Sequence, residues 1–98
     1  MTKVVFSVAA ANDLERLCDF LREHLPEESE RTVEIILDGL EILKRHPKVG
    51  RPLAHDLREL VISRGRSGCV ALYHYQEGVD MASVLAVRHQ REAGYQTS

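Results

Sequence analysis

The sequence predicts an α+β fold: one strand, an antiparallel helical hairpin, then a three-stranded antiparallel meander, with the helices packed on the sheet. Three observations carry that expectation. A β-branched and aromatic run opens the chain, two apolar stripes at helical spacing follow, and three alternating runs separated by short turns close it.

Lys3 to Val8 (KVVFSV) alternates in its first half and reads as a short strand. Asn12 offers an N-cap to a helix over about Asp13 to His24. Asp13 and Glu15 then fall in the first turn, where carboxylates meet the positive end of the helix dipole. Leu14, Leu17, Cys18, Leu21 and Leu25 recur on one face of this helix. Pro26 interrupts, and Pro26 to Glu30 (PEESE) has the character of a second helix start. Val33, Ile36, Leu37, Leu40 and Leu43 form its apolar stripe. Lys44, Arg45 and His46 occupy the last turn, where cations are favoured, and Pro47 stops it. Neither helix buries its stripe alone, so the two should lie antiparallel.

Pro47 to Asp56 is expected as loop, punctuated by Gly50 and Pro52. Leu57 to Ser63 alternates as a strand, with Glu59 sharing a face with Leu57 and Val61, which points it toward the helices. After a turn at 64–68 come Cys69 to Gln76, a second turn at 77–80, and Met81 to Arg88. Short turns between successive strands make a meander. The polar segment His89 to Ser98 is expected as a short helix, a flap or a frayed end of a single domain spanning 1–98.

With 98 residues there is room for one domain, which buries only about 60–65% of its unfolded surface. A tight partner covering part of the rest fits such a chain. The composition, 44% hydrophobic and 29% charged, is that of a folded globular protein. No apolar run approaches the ~20 residues of a membrane span, and the start resembles no signal peptide, so a cytoplasmic protein is expected. Cys18 and Cys69 are isolated thiols and read as reduced.

Charge is asymmetric. Residues 1–43 carry four basic and ten acidic side chains, residues 44–98 nine basic and five acidic, so a net of −6 faces a net of +4. That pattern implies one acidic and one basic surface.

Motifs exclude several chemistries. The five histidines show no HExxH and no pairing at i, i+3 or i, i+4, so no metal is expected. Gly65 to Gly68 (GRSG) is not a nucleophile elbow, and nothing matches GxxxxGK or GxGxxG, which leaves no expected cofactor. What remains is a basic constellation: Lys48, Arg51, Arg58, Arg64, Arg66, Arg88 and Arg91, with His89 among them and Tyr73, Tyr75 and Tyr95 interleaved. Arginine forks suit phosphate and tyrosine rings suit unpaired bases. Ten arginines against three lysines favour a role for the fork. The meander is expected to gather several of these cations at one end of the sheet.

In this order and spacing, Ala9-Ala10-Ala11-Asn12-Asp13-Leu14, His46-Pro47-Lys48-Val49-Gly50-Arg51-Pro52, Leu57-Arg58-Glu59-Leu60, Tyr73-His74-Tyr75 and Val87-Arg88-His89-Gln90-Arg91 resemble the RelE/ParE superfamily of type II toxins. The resemblance runs from the first strand through Val87. It implies the fold described above and an antitoxin from a neighbouring gene that wraps and silences the toxin. It also implies one of two targets: the ribosome, where RelE-like members cleave mRNA, or DNA gyrase, which ParE-like members poison. For cleavage, His89 would serve as acid or base. Arg58, Arg66 and Arg91 would hold the phosphate, with Tyr95 or Tyr75 stacking on the base. Lys48, Arg51, Arg64, Arg88 and Tyr75 would contact the target in either case. The lysines of RelE before and within the second strand are represented here by Lys48 alone, and the low basicity departs from ribosome-binding members. The long second helix and the Gly50-Arg51-Pro52 loop look more like ParE. An alternative of another class is an orphan binding module, or a co-repressor acting only with its antitoxin.

Overall fold

The computed structural model describes residues 1–63 and 68–89. Strand β1 (Lys3–Phe6) leads into helix α1 (Val8–His24) and helix α2 (Ser29–Glu41). Strands β2 (Arg51–Pro52), β3 (Leu57–Ser63), β4 (Cys69–Gln76) and β5 (Met81–His89) follow. The strands form one five-stranded sheet in the order β1-β5-β4-β3-β2. The expected meander is β3-β4-β5, all antiparallel. Two features extend it. β1 adds to the far side of β5 in parallel, Lys3 opposite Met81, and the short β2 pairs with the start of β3.

α1 begins four residues before Asn12. Ser7, not Asn12, is its N-cap: the Ser7 hydroxyl accepts the Ala10 N–H at 3.0 Å. The Ala9–Ala11 run then lies inside the helix, as alanine's propensity favours. Asp13 is consequently past the first turn and buried, and its carboxylate serves another element. α2 also starts later than expected. Pro26 and Glu27 lie in the connecting turn, which the Glu28 N–H closes on the Leu25 carbonyl at 3.0 Å. At its far end α2 tightens into a 3₁₀ turn over Ile42–Lys44 before Pro47.

The core forms where α1 and α2 meet one sheet face. Leu17 and Leu21 of α1, Ile36 and Leu40 of α2, and Leu43 pack against Leu60, Ala71, Tyr73, Val84 and Val87. Leu37, expected in this stripe, is 49% exposed. The buried face of α2 runs through Thr32, Ile36 and Leu40 at four-residue steps, and Leu37 lies about 100° round from Ile36. α2 approaches β3 closely at Gly39, where a Cβ would stand 2.7 Å from Ile62 Cγ2.

Alternation on β3 has the opposite phase from that expected for Glu59. Leu60 and Ile62 face the helices, so Glu59 and Val61 lie on the open face. A register shift between Leu72 and Tyr73 in the β4–β5 ladder changes the phase of β5. Ala82, Val84, Val87 and His89 are thereby all buried. Among the described residues no helix is long and apolar enough to cross a membrane.

Candidate functional site

The register separates Arg58 from Arg88, two of the cations expected at one end of the sheet. Arg58 stands opposite Tyr73, and Tyr73 opposite Val84, near one end of the sheet. Arg88 stands opposite Val70, which pairs with Val61, and His89 stands opposite Cys69. Three residues along β3 separate the Arg58 and Arg88 rows, about 10 Å, with β4 lying between their strands. The start of β3 and the end of β5 therefore lie at opposite ends, so Arg58 and the loop before it do not join Arg88, whereas the end of β5 does lie beside Cys69 as expected. The antiparallel turn from β3 to β4 dictates this.

At the first end, the 47–52 loop crosses the sheet on the helix side and is held by two side chains. The hydroxyl of Tyr73, a fully buried residue, donates to the Pro47 carbonyl at 2.7 Å and accepts the Gly50 N–H at 2.9 Å. Arg58 Nη1 donates to the carbonyls of Lys48 at 2.9 Å and Gly50 at 2.8 Å. Burial raises the Tyr73 pKa above the ordinary 10.0, with the Gly50 N–H and the nearby Arg58 charge pulling the other way. Gly50 is required by close approach: a Cβ would sit 2.7 Å from Tyr73 Cε1 and 3.0 Å from the Glu59 carbonyl. Lys48 pairs with Glu77 at 3.0 Å and Arg51 with Glu59 at 2.6 Å, both on the surface.

Lys48, Arg58, His74 and Tyr75 also line an open cleft of about 310 Å³. Tyr75 donates to Asp80 Oδ1 at 2.8 Å, and Thr2 donates to the same oxygen at 2.6 Å. The bond to Asp80 holds the Tyr75 pKa up, and the Thr2 and Tyr75 hydroxyls hold that of Asp80 down.

At the other end, Arg88 is engaged within the fold, paired with Asp13 of α1. β1 covers β5 only as far as Val84, so the edge of β5 beyond it is met by α1. Asp13 Oδ2 accepts the Val87 N–H there at 3.0 Å, and Oδ1 accepts from Arg16 at 3.0 Å. Burial alone would raise the Asp13 pKa; the Val87 N–H, Arg16 and Arg88 outweigh it and bring it below 3.8. His89 is 0% exposed and faces the helices, its ring 5.5 Å from that of Phe20. Arg64, Arg66, Arg91 and Tyr95 lie outside the described residues. Among the described residues no three metal-ligating side chains cluster.

The sequence reading missed Tyr73 as an anchor and Asp13 as an edge cap. Tyr73 did carry a signal, since it shares a face with Cys69 and Ala71, both small and apolar. Nothing local marks Asp13 as an edge cap, because the strand groups it caps lie 74 and 75 residues away.

The chain matches the family model of the ParE toxin of the type II toxin–antitoxin system parDE over residues 4–94. It belongs to the ParE toxin family. Toxin RelE3 of Caulobacter vibrioides is 30% identical to this ParE-family chain over 92 residues, 94% of this chain and 98% of that protein. Among solved structures, the RelBE2 toxin–antitoxin complex of Mycobacterium tuberculosis is similar at TM-score 0.62 and 25% identity, covering 91% of this chain and 98% of that one. The chromosomal ParDE system of P. aeruginosa shares the fold at TM-score 0.67 and 22% identity, covering 91% and 96%. The ParE-family fold is thus that of RelE/ParE toxins, as the sequence led us to expect.

Proposed function

We propose that this ParE-family toxin arrests growth by binding a protein target, DNA gyrase, rather than by cutting mRNA, and that a cognate antitoxin neutralises it. The observation that carries this reading is the open face of the sheet. Its central rows are Glu59–Leu72–Ala86 and Val61–Val70–Arg88, mostly apolar, with Val61 39% exposed and Val70 buried, and Arg88 is drawn away to Asp13. In-line attack of a 2′-hydroxyl needs a base, an acid and cations converging on one phosphate. Among the described residues His89 is buried on the opposite face, Arg58 is committed to two backbone carbonyls, and Arg51 is held by the largely buried Glu59. A largely apolar face suits a protein surface better than a phosphate backbone. The antitoxin partner is supported by the type II family and by similar toxins solved in toxin–antitoxin complexes.

One observation favours a second reading, mRNA cleavage. His74 shares its open cleft with Lys48, Arg58 and Tyr75, which supplies an imidazole, two cations and a stacking ring. The test runs the purified toxin side by side in gyrase supercoiling and in cell-free translation with primer extension. Inhibited supercoiling with intact mRNA is expected. Ribosome-dependent cuts would overturn the proposal and bring His89, Arg91, Tyr95, Arg66 and Arg58 forward as a catalytic group. Inactivity in both would leave a binding module working only with its antitoxin.

A further inference from the structure

The 47–52 loop is an exposed segment held with the rigidity of a core element, and that is an unusual use of two sheet side chains. Four hydrogen bonds of 2.7–2.9 Å from Tyr73 and Arg58 fix the backbone at Pro47, Lys48 and Gly50. The loop carries little of the core itself. Its tip residue Val49 is 50% exposed, with Lys48 and Arg51 exposed on either side. Beside it, Val49, Arg51, Glu59 and Val61 line an open groove of about 510 Å³, and Val61 at its far wall is 39% exposed. Sites that bind well are held in place before the partner arrives, because the ordering entropy is then already spent.

The geometry points to this loop as a preorganised recognition element through which the toxin engages its protein target, with Tyr73 and Arg58 as its positioning residues. The partner is identified by charge and shape. Lys48 and Arg51 flank an aliphatic tip, beside a groove that Val49, Leu60 and Val61 line together with Arg51 and Glu59. The matching surface is an acidic protein patch presenting an apolar side chain to the groove. The Lys48–Glu77 pair is exposed on both sides and holds weakly in water, so Lys48 is available for exchange onto such a patch. An apolar tip between cations argues for protein over nucleic acid, whose backbone offers Val49 nothing to bury against. This inference rests on the reading above that the target is a protein.

Growth arrest on induced expression of the full chain tests it without presupposing gyrase. Val49→Asp with Arg51→Glu changes exposed side chains, so melting is expected to stay near that of the wild type. The inducer level needed for arrest should rise at least tenfold. Tyr73→Phe should speed exchange of the Gly50 amide at least tenfold and raise the arrest threshold, since it loosens the loop without altering its tip. Arrest at the wild-type threshold in the double variant overturns the proposal, and so does full toxicity in Tyr73→Phe with a loosened loop. If Lys48→Glu and Arg51→Glu abolish arrest while Val49→Asp does not, the contact is with phosphate and the proposal also fails. A wild-type toxin that leaves supercoiling untouched removes the gyrase reading alone, because the loop is judged on arrest.

Discussion

Asp13 Oδ2 accepts the Val87 N–H at 3.0 Å, joining the first helix to the edge of the last strand beyond the reach of β1. The same carboxylate pairs with Arg88 and Arg16, so one side chain ends a sheet edge and ties two cations. Asp13→Ala strands a buried N–H and removes the partner of Arg88, at about 2–4 kcal/mol. In a domain of this size that lowers Tm by roughly 10 °C or more, read by thermal melting. The Asp13 pKa is lowered in the fold, so its contribution is fully present above the unfolded value near 3.8. It is lost as pH falls below that value toward the folded one. As pH falls below about 4 the wild type should therefore lose stability more steeply than Asp13→Asn, a comparison the two melting series read directly.

Gly39 sets how closely α2 meets β3. Gly39→Ala gains up to ~1 kcal/mol of helix propensity. It also forces a methyl to within 2.7 Å of Ile62 Cγ2, on a β-branched side chain with little rotamer freedom. Overpacking of this kind costs about 1–3 kcal/mol, so a net loss is expected. Combining it with Ile62→Ala should give less than the sum of the two losses in denaturant melts.

Gly50→Ala should be more damaging than its exposed loop implies. The new Cβ meets the Tyr73 ring and the Glu59 carbonyl, neither of which has room to yield. Displacing Tyr73 also breaks its two hydrogen bonds, about 1 kcal/mol each beyond the clash. The Tyr73 hydroxyl has its own pH signature. Its raised pKa gives a contribution fully present below the unfolded value near 10.0, lost as pH rises through the folded one. Ultraviolet titration should show Tyr73 and Tyr75 ionising late, and Tyr73→Phe should remove one phenol from that phase.

His89→Ala should cost fold stability before it costs chemistry. The side chain is wholly buried against Phe20, and truncating it leaves a cavity worth about 2–4 kcal/mol. Melting and growth arrest measured on the same variant separate the roles. A variant that melts like the wild type yet no longer arrests growth would contradict the packing role and restore His89 to the chemistry.

Much of this was legible in the residues. The β3 and β4 bounds follow from alternation between turn residues, and the helical hairpin from Leu17, Leu21, Ile36 and Leu40 at helical spacing. The start of α1 was misplaced because Ser7 and Asn12 are both good caps, and only the alanines between them decide. The phase of β3 was misjudged because Glu59 sits between apolar residues on both faces, and packing of Ile62 on Gly39 selects one. The dispersal of the cations was beyond sequence reading, since it follows from the register of three strands. Asp13 and Arg88 show the same limit: each looks like a surface charge until the strand edge that joins them is in place.

The most direct test of the central claim is supercoiling of relaxed plasmid by purified DNA gyrase, titrated with the toxin and then with its antitoxin added back. The account predicts dose-dependent loss of supercoiling that the antitoxin reverses. Undiminished supercoiling at toxin in large excess over gyrase, with ribosome-bound mRNA cut in the parallel reaction, would contradict it.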